Sequence, residues 1–239
     1  MDEAVSRIRA IALDGIPGAQ MIVPANAQLS QIAHSNRRFH DILDHAEIVV
    51  ADGMSVVAAS RLLGKPLPER IAGVDLVVEV CRAAAVTGMS VYFLGGNPGS
   101  AQKTADNLCA RFAGLIVVGV DCPPMGFERD PAESAAVVER ISKVAPDFLF
   151  VGFGAPKQEY WMEEHAEALL VKVMIAVGGS FDLLSGQIPR APVWMQHSGF
   201  EWVFRLLREP KRLWKRYLFG NAEFIQMVMW QFLTGRKEI

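Results

Sequence analysis

The sequence is poor in cysteine and tyrosine, carries no strong excess of either charge, and has no long apolar run. Its three cysteines, Cys81, Cys109 and Cys122, are far apart, with no CxxC pair and no histidine at metal-ligand spacing. That argues against a disulfide framework and a structural zinc site, and it fits a reducing compartment. No stretch approaches the roughly 20 apolar residues that a membrane-spanning helix needs. The opening MDEAVSRIRAIALDG contains acids and no apolar core, so it does not read as a secretory signal. A net charge of −2 excludes a globally basic nucleic-acid-binding surface. What is present in quantity is hydrophobic residues, 51% against 21% charged, enough for a sizeable core in a chain of 239 residues.

Short β-branched or apolar runs alternate with helical patterns up to about residue 200. The runs are Gln20–Pro24, Glu47–Ala51, Ser90–Leu94, Leu115–Val120, Phe148–Val151 and Val173–Val177. Between them, Val74–Thr87, Ser100–Phe112, Pro131–Val144 and Gln158–Leu169 place apolar residues at helical spacing. This alternation predicts an α/β domain over residues 1–200, a Rossmann-like and mostly parallel sheet with helices on both faces. Open parallel sheets bind ligands beyond the carboxyl ends of their strands, and those positions here are polar or glycine-rich. Asn26 follows the first run, Asp52-Gly53 the second and Gly95-Gly96-Asn97-Pro98-Gly99 the third. Gly152–Gln158, which includes Gly154, follows the fifth, and Gly178–Asp182 the sixth.

Several of these residues carry two readings. Asp52 can act as a general base or hold a ribose, or it can simply begin an Asp-Gly turn. The loop FLGGNPGSA resembles a phosphate cradle at a helix start, but it is neither GxGxxG nor a P-loop, and a tight strand-to-helix turn explains it too. In GFGAPKQE the Gln158 amide can recognise a sugar or base, while Glu159 can simply favour the helix dipole. Arg70, in PERIAGVD, is a functional cation or a solvated loop residue. The five histidines (His34, His40, His45, His165 and His197) form no HxH or HExxH pair. The DxD motif that holds Mg²⁺ or Mn²⁺ is absent, its nearest match being DGIPG, and no cofactor or metal is expected. GxSxG is absent as well.

Residues 201–239 hold eight Lys/Arg against four Glu, whereas the preceding 200 residues hold 16 against 22. Arg205, Arg208, Arg212 and Arg216 recur every three or four residues, with Pro210 expected to break or kink the helix. The following AEFIQMVMWQFLT is apolar and too short to span a bilayer. Such a segment suits a bilayer surface; a core-packed helix pair with a solvated charged face is the alternative.

Taken together, VVADGMSVV, RIAGVDL, FLGGNPG, FVGFGAPKQE, AVGGSFDLLSGQIPRAP and EWVFRLLREPKRLWKRY resemble, in order, the blocks of the WecG/TagA/CpsF family of bacterial glycosyltransferases, glycosyltransferase family 26. The resemblance implies metal-independent, inverting transfer of N-acetylmannosamine, its uronic acid or glucose from a UDP-sugar donor to an undecaprenyl-diphosphate-linked acceptor, feeding cell-surface polysaccharides. It implies Asp52 as general base and Asn26, Arg70 and Gln158 at the substrate. Gly95, Gly96, Asn97, Gly154 and Asp182 join them from the strand-end loops. Arg205, Arg212, Lys215 and Arg216 match a basic tail that neutralises phosphates. The tail, 201–239, would then be a membrane-associating appendage of an enzyme peripheral on the cytoplasmic face, and relatives that self-associate imply a homo-oligomer. Pro24 stands where the family usually has threonine, and the family's opening strand has no counterpart before Met1, implying a short or truncated start. The alternatives are a nucleotide-cofactor oxidoreductase, for which the dinucleotide fingerprint is missing, and a non-catalytic membrane scaffold of the same fold.

Overall fold

Runs rich in Val, Ile and Phe pack well on a pleated, two-sided buried sheet, whereas apolar residues at three- and four-residue steps bury one helical stripe. The computed structural model follows that division and describes residues 1–14, 18–197, 199–208 and 210–235, apart from some side chains near the C-terminus. The chain runs α1 (Asp2–Asp14), β1 (Gln20–Ala25), α2 (Ala27–Ser35), α3 (Arg37–His45), β2 (Ile48–Ala51), α4 (Met54–Leu62) and α5 (Gly73–Thr87). It continues with β3 (Ser90–Gly95), α6 (Ser100–Arg111), β4 (Ile116–Asp121), α7 (Pro131–Val144), β5 (Phe148–Gly152), α8 (Lys157–His165), β6 (Val173–Ala176) and α9 (Ser180–Leu184). The last elements are α10 (Val193–His197), α11 (Glu201–Arg208) and α12 (Pro210–Thr234).

The six strands form one sheet in the order β2-β1-β6-β5-β3-β4. The pairs β1·β6, β5·β6, β3·β5 and β3·β4 are parallel. This is the expected α/β class. Each strand agrees with its sequence run to within a residue or so. Pro24 sits in an internal strand without removing a ladder bond to β6, because that register covers only Gln20 to Ile22.

Two helical features differ from the sequence pattern. Helix α1 was not among the expected elements, yet Val5, Ile8, Ile11 and Ala12 recur at helical spacing and are buried. Helix α8 ends at His165 rather than Leu169, because the chain turns there and brings the amides of Ala168 and Leu169 to the His165 carbonyl. The break or kink expected at Pro210 falls at residue 209, which lies outside the described residues; the chain is helical up to Arg208 and again from Pro210. Beyond it the helix is continuous for 25 residues. Gly220 stays within it, and its carbonyl accepts from Gln31 Nε2.

The chain divides into two compact units: residues 1–23, 45–49 and 73–188, and residues 24–44, 50–72 and 189–239. The first unit is built on the sheet, with Leu94, Leu149, Val151, Trp161, Met162 and Met174 in a core that the flanking helices cover. The second unit holds the carboxyl ends of β1 and β2, helices α2 to α4, and α10 to α12. Its core sets Phe224, Met227 and Val228 of α12 against Ala27, with Val56, Ala59 and Leu63 alongside. One face of the C-terminal helix is therefore core, while Ile225, Phe232 and Leu233 on it are exposed.

Candidate active site

In the first unit, glycine lets the strand ends approach closely. Gly95 ends β3 at φ +103°, and a Cβ there would lie 2.9 Å from the carbonyl carbon and oxygen of Gly152 at the end of β5. No residue with a side chain fits that position. Gly96 N–H donates to Gly152 O at 2.7 Å. Asn97 N–H donates to Asp182 Oδ1 at 3.1 Å. The FLGGNPG loop is thus tied to the Asp182 carboxylate.

Gln158 is the next junction. Its Oε1 accepts from Gly154 N–H at 3.0 Å and from Gly178 N–H at 3.2 Å. Its Nε2 donates to Glu159 Oε1 at 2.8 Å. Only 3% exposed, the amide ties the loop after β5 to the loop after β6. Glu159 is fully buried, and burial pushes its carboxyl up to about 7 although the Gln158 bond pulls the other way. Its Oε2 has no hydrogen-bond partner among the described residues. Sequence reading gave Glu159 only a dipole role. The signal for more was its place beside Gln158 at a helix start among residues that bury. Lys157, in the same motif, lies 3.5 Å from Glu128 Oε1.

The second unit gathers Asn26, Asp52 and Arg70. Asn26 caps α2, its Oδ1 accepting from Gln28 N–H at 3.0 Å and Leu29 N–H at 3.3 Å. Asp52 N–H donates to Ala25 O at 2.8 Å, which sets the residue after β2 against the end of β1. At the adjoining Gly53, a Cβ would meet Asn26 Cβ at 3.8 Å, so the Asp-Gly turn packs directly against the asparagine. Ile71 N–H donates to Ala51 O at 2.8 Å and brings the RIAG segment to the same strand end. Arg70 is not a solvated loop residue. Its Nη1 donates to Glu201 Oε2 at 3.0 Å and to Gln196 O at 3.3 Å. Glu201, first residue of α11, was not singled out from the sequence, because nothing local ties it to a residue so far back in the chain. The side chains of Arg205, Arg212, Lys215 and Arg216 lie outside the described residues.

Among the described residues, no three of His, Cys, Asp and Glu are grouped to hold a metal ion. No described helix is long and apolar enough to cross a membrane.

A parallel α/β sheet flanked by helices, with glycine-rich loops after its strands, is a fold that binds ligands beyond the carboxyl ends of its strands. The chain belongs to the glycosyl transferase WecG/TagA/CpsF family, whose model matches residues 1–238, and it is a glycosyltransferase. It is 34% identical over 214 residues to an N-acetylglucosaminyldiphosphoundecaprenol N-acetyl-beta-D-mannosaminyltransferase of Bacillus spizizenii, covering 90% of this chain and 80% of that one. An enzyme of the same description from Staphylococcus aureus is 32% identical over 222 residues, covering 91% of this chain and 81% of the other.

Proposed function

We propose that the protein transfers an N-acetylmannosaminyl residue from a UDP-sugar to N-acetylglucosamine carried on undecaprenyl diphosphate, a step in building a cell-surface polysaccharide. The observation that carries this reading is the 34% identity to a transferase of that description across 90% of the chain. Asp52, fixed beside Asn26 at the end of β2, supplies a carboxylate of the kind the chemistry requires. The acceptor hydroxyl attacks the anomeric carbon on the face opposite the leaving group, and Asp52 takes the hydroxyl proton. The bond from the anomeric carbon to the diphosphate oxygen breaks, UDP departs with the electron pair, and the anomeric configuration inverts. Asn26 and Arg70, at the ends of β1 and β2, hold the substrate. In a metal-independent transfer the charge on the leaving diphosphate falls to guanidinium and backbone N–H groups.

A lipid-linked acceptor requires work at a membrane surface. The exposed Ile225, Phe232 and Leu233 of α12 and the basic excess of residues 201–239 support attachment to the cytoplasmic leaflet as a peripheral protein.

The test is incubation with UDP-N-acetylmannosamine and a lipid-diphosphate-linked N-acetylglucosamine in the presence of EDTA. Acceptor-dependent disaccharide formation is the expected result. Its absence with that pair, while a different donor or acceptor turns over, would overturn the assignment of substrates.

A further inference from the structure

Helices α2 and α12 of the second unit pack along one seam. Ala27 meets Phe224, Met227 and Val228 in the core, and Gln31 Nε2 donates to the Gly220 carbonyl. Gly220 permits that approach, since a Cβ there would lie 3.3 Å from Gln31 Oε1. Beside the seam the two helices leave a cleft of about 610 Å³. That size falls within the roughly 300–1,000 Å³ of sites that take small ligands. Glu223, Gln226, Met227 and Trp230 line it from α12, and their spacing puts them on one face of the helix. The exposed Ile225 and Phe232 lie on the opposite face.

The lining selects a ligand by its chemistry. Ile32 and Met227 supply apolar surface, and the Trp230 indole is 40% exposed. Two polar lining groups are already used: Gln31 Nε2 on Gly220 O, and Ser35 Oγ on the carbonyls of Gln31 and Ile32 at 3.0 and 3.3 Å. The Glu223 carboxylate, the Gln226 amide and the His34 imidazole have no hydrogen-bond or ion-pair partner among the described residues. An anion placed here would meet the charge of Glu223. An isoprenoid chain would take water from a carboxylate, an amide and an imidazole and return no hydrogen bond. Quaternary ammonium groups are held in cages of several rings, whereas among the described lining residues only Trp230 offers an indole or phenyl face. A neutral sugar ring fits what is left. Its C–H face stacks on an indole, its hydroxyls donate to a carboxylate and to an amide oxygen, and an N-acetyl methyl group suits the apolar surface of Ile32 and Met227.

We propose that the cleft between α2 and α12 is a saccharide-binding site, in which an uncharged N-acetylhexosamine ring lies on Trp230 with its hydroxyls bonded to Glu223 and Gln226. It is a binding site and not a reacting one. Its α2 residues, from Gln31 to Ser35, form the last turn of that helix, whereas Asn26 caps the other end beside Asp52. With Ile225 and Phe232 resting on lipid, the cleft on the opposite face of α12 opens towards water, where the sugar end of a lipid-linked saccharide resides.

Saturation-transfer NMR with N-acetylglucosamine and its β-1,4-linked disaccharide tests it on the full chain, as wild type, Trp230→Ala and Glu223→Gln. Saturation should reach the sugar ring protons in the wild type. Affinity should drop about tenfold in each variant, one losing the stacking face and the other a charged acceptor. No transfer to either sugar in the wild type, or equal affinity in the three proteins, would overturn the proposal, as would tighter binding of choline or of a short prenyl alcohol than of the disaccharide. Hydrogen exchange on the wild-type chain needs no variant. The disaccharide should protect residues 31–36 and 223–230, and protection confined to residues 24–28 and 50–54 would place the sugar at the strand ends instead and contradict the cleft. No nucleotide sugar enters these measurements, so a failure of the proposed transfer reaction would leave their outcome unchanged.

Discussion

Arg70 and Glu201, 131 residues apart in sequence, meet at 3.0 Å with side chains only 14% and 12% exposed. The pair fastens the RIAG segment, which reaches the end of β2 through Ile71, to the first turn of α11. The second unit thus uses a charge-assisted bond to place a guanidinium near Asp52's strand end.

A double-mutant cycle measures that bond. Arg70→Ala and Glu201→Ala should each destabilise the fold, with a coupling energy of about 1–3 kcal/mol in urea unfolding, because removing one partner strands the other in a half-buried site. Additive losses would mean that the pair contributes nothing beyond packing.

Glu159 gives the fold a pH dependence of definite sign. Its carboxyl is raised from 4.5 to about 7 by burial, so the native state holds the proton more tightly than the unfolded chain does. Stability from this group is fully present below about pH 4.5, falls as the pH rises towards 7, and stays low above it. The loss is on the order of 3 kcal/mol at 1.36 kcal/mol per pH unit. Glu159→Gln should flatten that slope, gaining on the wild type between pH 5 and pH 8 in parallel urea titrations. Equal pH dependence in the two proteins would show that the buried carboxyl does not titrate in this range.

Asn26 has two separable roles. Asn26→Ala should cost about 1 kcal/mol through loss of the α2 cap. Asn26→Asp keeps an oxygen acceptor for Gln28 and Leu29, so it should melt near the wild type while losing a hundredfold or more in kcat/KM, because the amide donor is gone. Full activity in a folded Asn26→Asp would confine the residue to capping.

The exposed face of α12 should govern attachment to lipid without governing folding. Phe232→Ser with Leu233→Ser should leave the melting temperature within about 1 °C, since both side chains are exposed. Sedimentation with vesicles rich in anionic lipid should fall several-fold. Unchanged sedimentation would place the lipid contact elsewhere. Deleting the whole tail is a poorer test, because Phe224, Met227 and Val228 belong to the core of the second unit.

The parallel sheet was legible because its strands are short apolar runs bounded by polar loops, and β5 and β6, buried at every residue, are the clearest cases. The positions of Asn26 and Asp52 were legible because each directly follows a strand, and that of Asp182 because it lies in the GGSFD segment just beyond one. What the sequence did not show is where each side chain spends its hydrogen bonds. Gln158 reads as a free amide in APKQE, yet both its oxygen and its nitrogen serve the loops around it. The FLGGNPG loop reads as an anion site until Asp182, 85 residues further on, is found bonded to Asn97. Glu201 was invisible for the same reason, its partner lying far back in the chain. Contacts at long sequence separation leave no local pattern, and the tail's apolar residues gave no sign of which would face the core.

Asp52 carries the central claim, and one comparison tests it most directly: disaccharide formation by the wild type and Asp52→Asn with UDP-N-acetylmannosamine and the lipid-linked acceptor, with UDP affinity measured on both proteins. The account expects kcat to fall by a factor of at least about 10², with UDP affinity and melting temperature little changed. A variant that folds, binds UDP and turns over at the wild-type rate would contradict the assignment of Asp52 as the base.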